Sequence, residues 1–177
     1  VNTAFSVSNI ASTSTQYLDT SFHTTFTSQT ATLTWKPDGT KLFHTDYGGG
    51  RVLVFTFTTA WDLSTASFVS SEVYNTGMSS LASVTFNSDG TEMFALDRSS
   101  KVVKKYDLST AWNPSTATYD NTADINISLM SDPCSANFDP DGDRFLMSDY
   151  GASDVYEYAR ASTTTLTLGT GSFAATD

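Results

Sequence analysis

Apolar and polar residues alternate along short segments of this chain, in the manner of β-strands. Leu33 and Trp35 stand two positions apart with a threonine between them, and so do Val84 and Phe86. Side chains two positions apart lie on the same face of a strand, whereas an amphipathic helix needs spacings of three and four. No segment keeps a helical period. The pattern therefore predicts an all-β protein.

The strand pattern occurs three times, at an interval of about 51 residues, as in solenoids, propellers and arrays. Each copy passes from the alternating segment into a tight Asp-Gly turn, then into a strand that is apolar on both faces, and an aspartate closes that strand. The turns are centred on Asp38-Gly39, Asp89-Gly90 and Asp141-Gly142, and the closing aspartates are Asp46, Asp97 and Asp149. Four short antiparallel strands per repeat are typical of a propeller blade.

A longer motif supports this interpretation. Residues 35–43 (WKPDGTKLF) return as residues 86–94 (FNSDGTEMF), and the linker 59–68 (TAWDLSTASF) returns as residues 110–119 (TAWNPSTATY). These residues resemble the β-propeller blade repeats of the broad WD-repeat, NHL and YVTN-like group, of the kind seen in phage tail and bacterial surface proteins. The resemblance implies an all-β, propeller-like array of about three and a half four-stranded antiparallel blades.

The repeat register divides the chain into blades. It predicts a half blade with a third and a fourth strand over residues 1–30, blade 1 over 31–80, blade 2 over 81–131 and blade 3 over 132–162. Residues 163–177 form a terminal strand or begin a following β-module. Closed propellers have roughly four to eight blades, so a fragment of a longer propeller or closure by self-association is favoured. A four-bladed ring completed by the two termini and a β-stack of another kind remain open.

Composition and charge limit the classes of partner that the chain is expected to bind. The net charge of −10 argues against nucleic acid and anionic membranes as partners. No apolar run is long enough for a membrane span, and with Cys134 as the sole cysteine the chain cannot form an intrachain disulfide. Few charged residues and many aromatic ones favour an extracellular or virion-surface location. A start at Val1 instead of Met favours a processed product or a fragment.

The loops that follow the closing aspartates are the predicted recognition surface, because loops on a rigid scaffold usually carry binding residues. They run from Asp46 to Gly50, from Asp97 to Ser100 and from Asp149 to Ser153. The alternative is structural, since an aspartate can accept hydrogen bonds from its own loop amides and a lone histidine is usually packed. The candidate binding residues are His44, Asp46, Tyr47, Asp97, Arg98, Asp149 and Tyr150.

Two other features suggest chemistry less strongly. Asp139, Asp141 and Asp143 resemble part of a calcium loop, but the other two turns lack the flanking carboxylates, which favours a plain hairpin. Trp61 and Trp112 could stack on sugars, although packing of the linker against the neighbouring blade is favoured. The chain has no Gly-x-Ser-x-Gly motif and no cluster of histidines and carboxylates. No catalytic residue, metal or cofactor is predicted.

These observations predict a non-catalytic structural or binding module of a virion or extracellular surface protein that displays loops to a receptor or glycan. The first alternative is a self-assembling unit whose incomplete blades close a ring or fibre by oligomerisation. The partners are then further copies or neighbouring segments of a larger chain. The second alternative is a propeller-type hydrolase or lactonase, which would need several carboxylates that converge with a bound metal near the axis.

Overall fold

The computed structural model describes residues 30–138, 144–160 and 166–167, and this part of the chain consists of three successive antiparallel sheets. The predicted all-β class is confirmed. The helices of the described part are single turns of 3-10 helix at Leu63–Thr65, Ser70–Glu72 and Pro114–Thr116. None of them has the length and apolar character needed to span a bilayer.

Each sheet is formed by strands that are consecutive in the chain. Sheet 1 contains β1 (Thr30–Trp35), β2 (Lys41–Asp46), β3 (Arg51–Phe57), β4 (Ala66–Phe68) and β5 (Tyr74–Asn75). Sheet 2 contains β6 (Leu81–Phe86), β7 (Glu92–Asp97), β8 (Val102–Leu108) and β9 (Ala117–Asn126). Sheet 3 contains β10 (Pro133–Phe138), β11 (Arg144–Asp149), β12 (Asp154–Arg160) and β13 (Leu166–Thr167).

The hairpin turn of each complete repeat is covered by a tryptophan from the linker of the same repeat. Gly39 and Gly90 have φ angles of 73° and 74°, a backbone region that favours glycine. The rings of Trp61 and Trp112 lie directly on these glycines, so that a Cβ there would overlap the indole. The backbone N–H of each tryptophan also donates to the glycine carbonyl, at 3.0 and 2.9 Å. The linker is therefore fastened to its own turn.

Neighbouring sheets pack face to face, with their first strands in contact. The Thr34 hydroxyl donates to the Val84 carbonyl oxygen at 2.5 Å, and the Ser83 hydroxyl donates to that of Ala136 at 3.3 Å. Apolar cores fill both junctions. The first contains Phe43, Val52 and Val54 of sheet 1 and Val84, Phe86, Met93 and Ala95 of sheet 2, and the second contains Phe94, Leu96 and Val103 of sheet 2 and Ala136, Phe145 and Met147 of sheet 3.

Phe43 of sheet 1 and Phe94 of sheet 2 occupy equivalent places in the two junctions. The ring of Phe43 lies 4.3 Å from that of Phe86, and the ring of Phe94 lies 4.8 Å from that of Phe138. Trp112 joins the first pair, because its ring lies 5.3 Å from that of Phe86 in its own repeat and 6.3 Å from that of Phe43 in the neighbouring repeat. The prediction that the linker tryptophan packs against the neighbouring repeat is confirmed for Trp112.

Some predictions fall outside the described residues. These are the half blade over residues 1–30, nearly all of which is undescribed, and the carboxylates Asp139, Asp141 and Asp143 of the calcium-like turn. The proposed blade boundaries also stay predictions.

Candidate functional site on the loop face

The aspartate that closes the second strand of each sheet lies at the same end of the molecule as the connections that enter the next sheet. Backbone hydrogen bonds establish this: Arg98 N donates to the Ser80 carbonyl oxygen at 3.0 Å, and Tyr150 N donates to that of Asp132 at 2.9 Å. The loop face, as we call this end, is formed by residues 46–50, 76–80, 97–100, 128–132 and 149–153.

The three aspartates are buried, and each holds nearby backbone. Asp97 Oδ1 accepts from the backbone N–H groups of Ser99 and Ser100 at 3.1 and 3.3 Å. Asp46 Oδ1 accepts from Gly49 N at 3.2 Å, and its Oδ2 accepts from Arg51 Nη2 at 2.5 Å. Their direct contacts are therefore with the protein, as the structural alternative expects, and ligand binding by Asp46 and Asp97 stays a prediction.

Asp149 uses its carboxylate to join its own loop to the connection from sheet 2. Its oxygens accept from Ser131 N at 2.6 Å, from Asp132 N at 2.7 Å and from Gly151 N at 3.1 Å. Burial alone would raise the pKa of Asp149, but these hydrogen bonds to the charged form outweigh burial and lower the pKa below 3.8. The ionised form is thus part of the folded loop structure.

His44 lies on β2, on the same strand face as Asp46, and is buried. Burial lowers the pKa of its imidazole below 6.5, and the negative charge of Asp46 opposes that shift only in part. The ring is therefore neutral near pH 7. The structure thus places His44 within the buried strand β2 and not in the loop, and its role in binding stays a prediction.

Tyr47, Arg98 and Asp132 form a small polar cluster to which all three sheets contribute. Arg98 donates through Nε and Nη2 to the two carboxylate oxygens of Asp132, in a bidentate pair that bridges sheet 2 to the entry of sheet 3. The hydrogen bonds with Asp132 raise the pKa of Arg98, and Tyr47 lies within electrostatic range of the guanidinium. The side chain of Arg98 is 38% exposed, so a solute can reach it.

Tyr47 leans from sheet 1 onto the core between sheets 2 and 3, and its carbonyl oxygen accepts from Leu81 N at 3.1 Å. Tyr150 occupies the same place in the third repeat and is 77% exposed. Of the predicted candidates, the structure thus brings Tyr47 and Arg98 together and leaves Tyr150 facing solvent.

Asp132 was not predicted from the sequence. It stands where the preceding repeat has Ser80, and Arg98 stands where the other repeats have Tyr47 and Tyr150. The sequence did contain a signal for this pair. Arg98 and Asp132 carry opposite charges, each charge occurs in only one repeat, and the two positions face each other across a junction.

The carboxylates of the loop face do not gather into a metal site. Within residues 30–138, 144–160 and 166–167, no group of three or more His, Cys, Asp or Glu side chains could hold a metal ion. Asp46 and Asp97 each bind donors of their own loops, and Asp149 binds its own loop and the connection from sheet 2. The convergence of carboxylates that the second alternative called for is therefore absent among these three residues.

No family model and no curated relative matches this sequence. Solved structures match its fold at low identity. A candidate 6-phosphogluconolactonase from Bacteroides fragilis is 15% identical, with a TM-score of 0.56 over 77% of this chain and 36% of that one. The periplasmic gluconolactonase of Pseudomonas aeruginosa is 15% identical, with a TM-score of 0.51 over 76% and 37%. The Swd1 β-propeller domain of Myceliophteria thermophila is 10% identical, with a TM-score of 0.52 over 73% and 40%.

These matches correct two predictions from the sequence. The expectation of a non-catalytic structural or binding module is wrong, and so is the expectation that the protein is not an enzyme. The location at a virion or extracellular surface stays a prediction. Lactonases recur among the matching structures, whereas none of the three above is a phage-tail or surface protein. The chain spans well under half the length of each of the three. What it shares with all of them is the β-propeller fold.

Proposed function

We propose that this chain forms part of a β-propeller hydrolase that opens sugar lactones, with its substrate on the loop face. The recurrence of 6-phosphogluconolactonases and a gluconolactonase among the structures that share its fold is the observation that carries the proposal. Because the chain covers about two fifths of such structures or less, the activity proposed is that of the propeller to which it contributes.

The cluster of Tyr47, Arg98 and Asp132 supports this assignment chemically. Hydrolysis adds a water oxygen to the lactone carbonyl carbon, the ring C–O bond breaks as the ring oxygen takes up a proton, and a hydroxy carboxylate and one proton are released. Negative charge develops on the carbonyl oxygen and remains on the product carboxylate. A guanidinium held in place by a carboxylate stabilises such charge without reorganising, and Asp132 engages two of the five N–H donors of Arg98.

The charge of the whole chain favours an uncharged sugar lactone over a phosphorylated one. A net charge of −10 repels an anionic substrate at long range, and Arg98 is the cationic side chain that the cluster offers against it. Tyr47 and the exposed Tyr150 add hydroxyls and aromatic surface of the kind that contacts sugar rings.

The proposal is tested by measuring proton release from glucono-δ-lactone and from 6-phosphogluconolactone, after subtraction of spontaneous hydrolysis. We expect catalysis of the uncharged lactone with the higher kcat/KM. Arg98→Ala should lower kcat/KM by about 100-fold, the loss typical when one donor to a developing oxyanion is removed.

Lys104→Ala is the matched control, since Lys104 lies on β8 of the internal sheet 2, outside the cluster, with its Nζ 5.1 Å from the centre of the Tyr119 ring. It should leave kcat/KM unchanged. A rate no greater than spontaneous hydrolysis with both lactones contradicts the proposed function, and an equal loss in the two variants contradicts the role of Arg98.

A further inference from the structure

The two ends of the described array expose positions that are buried everywhere between them. Val155 of sheet 3 is 59% exposed, whereas the residues at the same place in sheets 1 and 2, Val52 and Val103, are fully buried. At the other end Leu33 of sheet 1 is 58% exposed, whereas its equivalent Val84 is buried against the preceding sheet. Each end therefore exposes the residues that form one side of the junction between neighbouring sheets inside the molecule.

The junctions inside the molecule show which surface packs against each of these two exposed faces. Phe43 and Val52 of the preceding sheet face Val84, Phe86 and Trp112 of the following sheet. The tail face, defined by Leu146 and Val155, stands at the positions of Phe43 and Val52. The head face, defined by Leu33, Trp35 and Trp61, stands at the positions of Val84, Phe86 and Trp112, and Leu33, Trp61, Leu146 and Val155 are all exposed.

We propose that a second copy of this chain covers the tail face, with the head face of that copy packed on it as sheet 2 packs on sheet 1. A second copy is the occupant that the two ends favour. At its internal junctions, the chain buries the residues equivalent to the head face against the residues equivalent to the tail face. Burial of exposed leucine, valine and tryptophan side chains supplies the driving force.

A polar contact of the internal junction has its counterparts at the two ends. Lys41 Nζ donates to the Trp112 carbonyl oxygen of the following sheet at 3.2 Å. Arg144 stands at the position of Lys41, and Trp61 stands at the position of Trp112. We therefore expect Arg144 of one copy to reach the Trp61 carbonyl oxygen of the other.

Association of this type is head to tail, and it closes when the rotation between copies completes a ring. One copy spans well under half the length of the propellers that it matches, so two copies come much closer to a complete ring. Closure would also bury the apolar side chains that an open array exposes at its two ends, and large exposed apolar patches favour aggregation. This inference is independent of the proposed lactonase activity.

Light scattering during size exclusion tests the contact. The native chain should have twice its mass of 19.1 kDa, or form larger assemblies if the ring does not close. Val155→Asp and Leu33→Asp should each reduce the mass to 19.1 kDa, because each places a charge in one half of the contact. Leu129→Asp is the matched control, since Leu129 is 71% exposed on the connection between sheets 2 and 3. It should leave the mass unchanged.

A mixture of the two disruptive variants separates this contact from other modes of association. The Leu33→Asp chain keeps an intact tail face and the Val155→Asp chain keeps an intact head face, so the mixture should regain association through one seam. Far-UV circular dichroism checks that each variant is folded. A native chain that stays at 19.1 kDa at every concentration overturns the proposal, and so does an assembly that resists both substitutions or that the mixture does not restore.

Discussion

At the scale of single residues, the tryptophan-on-glycine contact is the most constrained feature of the repeat. Trp61 and Trp112 adopt φ angles of 66° and 60°, which are uncommon for bulky residues, and each ring occupies the space that a Cβ at the facing glycine would need. The strain is offset by packing, since Trp112 contacts the core between sheets 1 and 2.

We therefore expect Gly90→Ala to destabilise the fold by about 3 kcal/mol, from positive-φ strain together with displacement of the Trp112 ring. Gly77→Ala is the matched control, because Gly77 has a φ of 71° but nothing near its Cβ position. It should cost about 1 kcal/mol, from backbone strain alone. Urea denaturation measures both values, and equal losses would show that the indole contact contributes nothing.

At the scale of elements, buried aspartates hold the loops at the ends of the second strands. Asp46, Asp97 and Asp149 close equivalent strands but bind different partners, namely an arginine, two serines of the same loop, and the connection from the preceding sheet. The repeat thus keeps the acceptor while the donors change. The loops can vary in sequence because a single side chain organises the backbone of each.

Asp149→Asn should destabilise the protein by about 2 kcal/mol at pH 7, because buried N–H donors lose a charged acceptor. A folded-state pKa below 3.8 means that the carboxylate adds stability above that pH and loses it as the pH falls through the folded pKa. The difference in unfolding free energy between native protein and variant should therefore shrink as the pH falls below about 4.

Urea denaturation of both proteins across this pH range provides the measurement. Asp154→Asn, at an exposed position at the start of β12, is the control and should follow the native curve. A difference that stays constant down to the lowest pH would contradict the assigned role of the Asp149 charge.

At the scale of the whole molecule, stability depends on contacts between neighbouring sheets, as in other repeat arrays. Sheet 2 is packed on both faces, and every residue of its first strand β6 is buried. Sheet 3 contributes one face to a junction, while Leu146 and Val155 on its other face are exposed. Local opening should therefore start at the end sheets, of which sheet 3 is one, and not at sheet 2.

Hydrogen exchange measured by mass spectrometry should show this gradient when β7 and β11, the second strands of sheets 2 and 3, are compared. In the Val155→Asp variant, where association is blocked, we expect amide exchange in β7 to be roughly tenfold slower or more than in β11. Equal protection of the two strands would contradict the idea that burial on both faces sets local stability.

The repeat made much of the architecture predictable. Alternating Leu33 and Trp35, the Asp-Gly turns and the closing aspartates each depend on local chemistry, so they could be recognised without knowledge of the neighbours. Function was predicted wrongly from overall composition and a resemblance to surface proteins, because one fold hosts many activities. Receptor or glycan binding and an extracellular location stay predictions.

The sequence by itself determined the all-β class, the order of strands within each sheet and the positions of the loops, because these follow from contacts between residues close in the chain. The tertiary structure decided which side chains meet across sheets. It showed that Leu33 and Val155 are exposed at the two ends of the described array. It also showed that Asp46 and Asp97 bind donors of their own loops while Asp149 also binds the connection from sheet 2, and that Arg98 pairs with Asp132. Such contacts join residues far apart in the chain, and their geometry exists only once the sheets have packed.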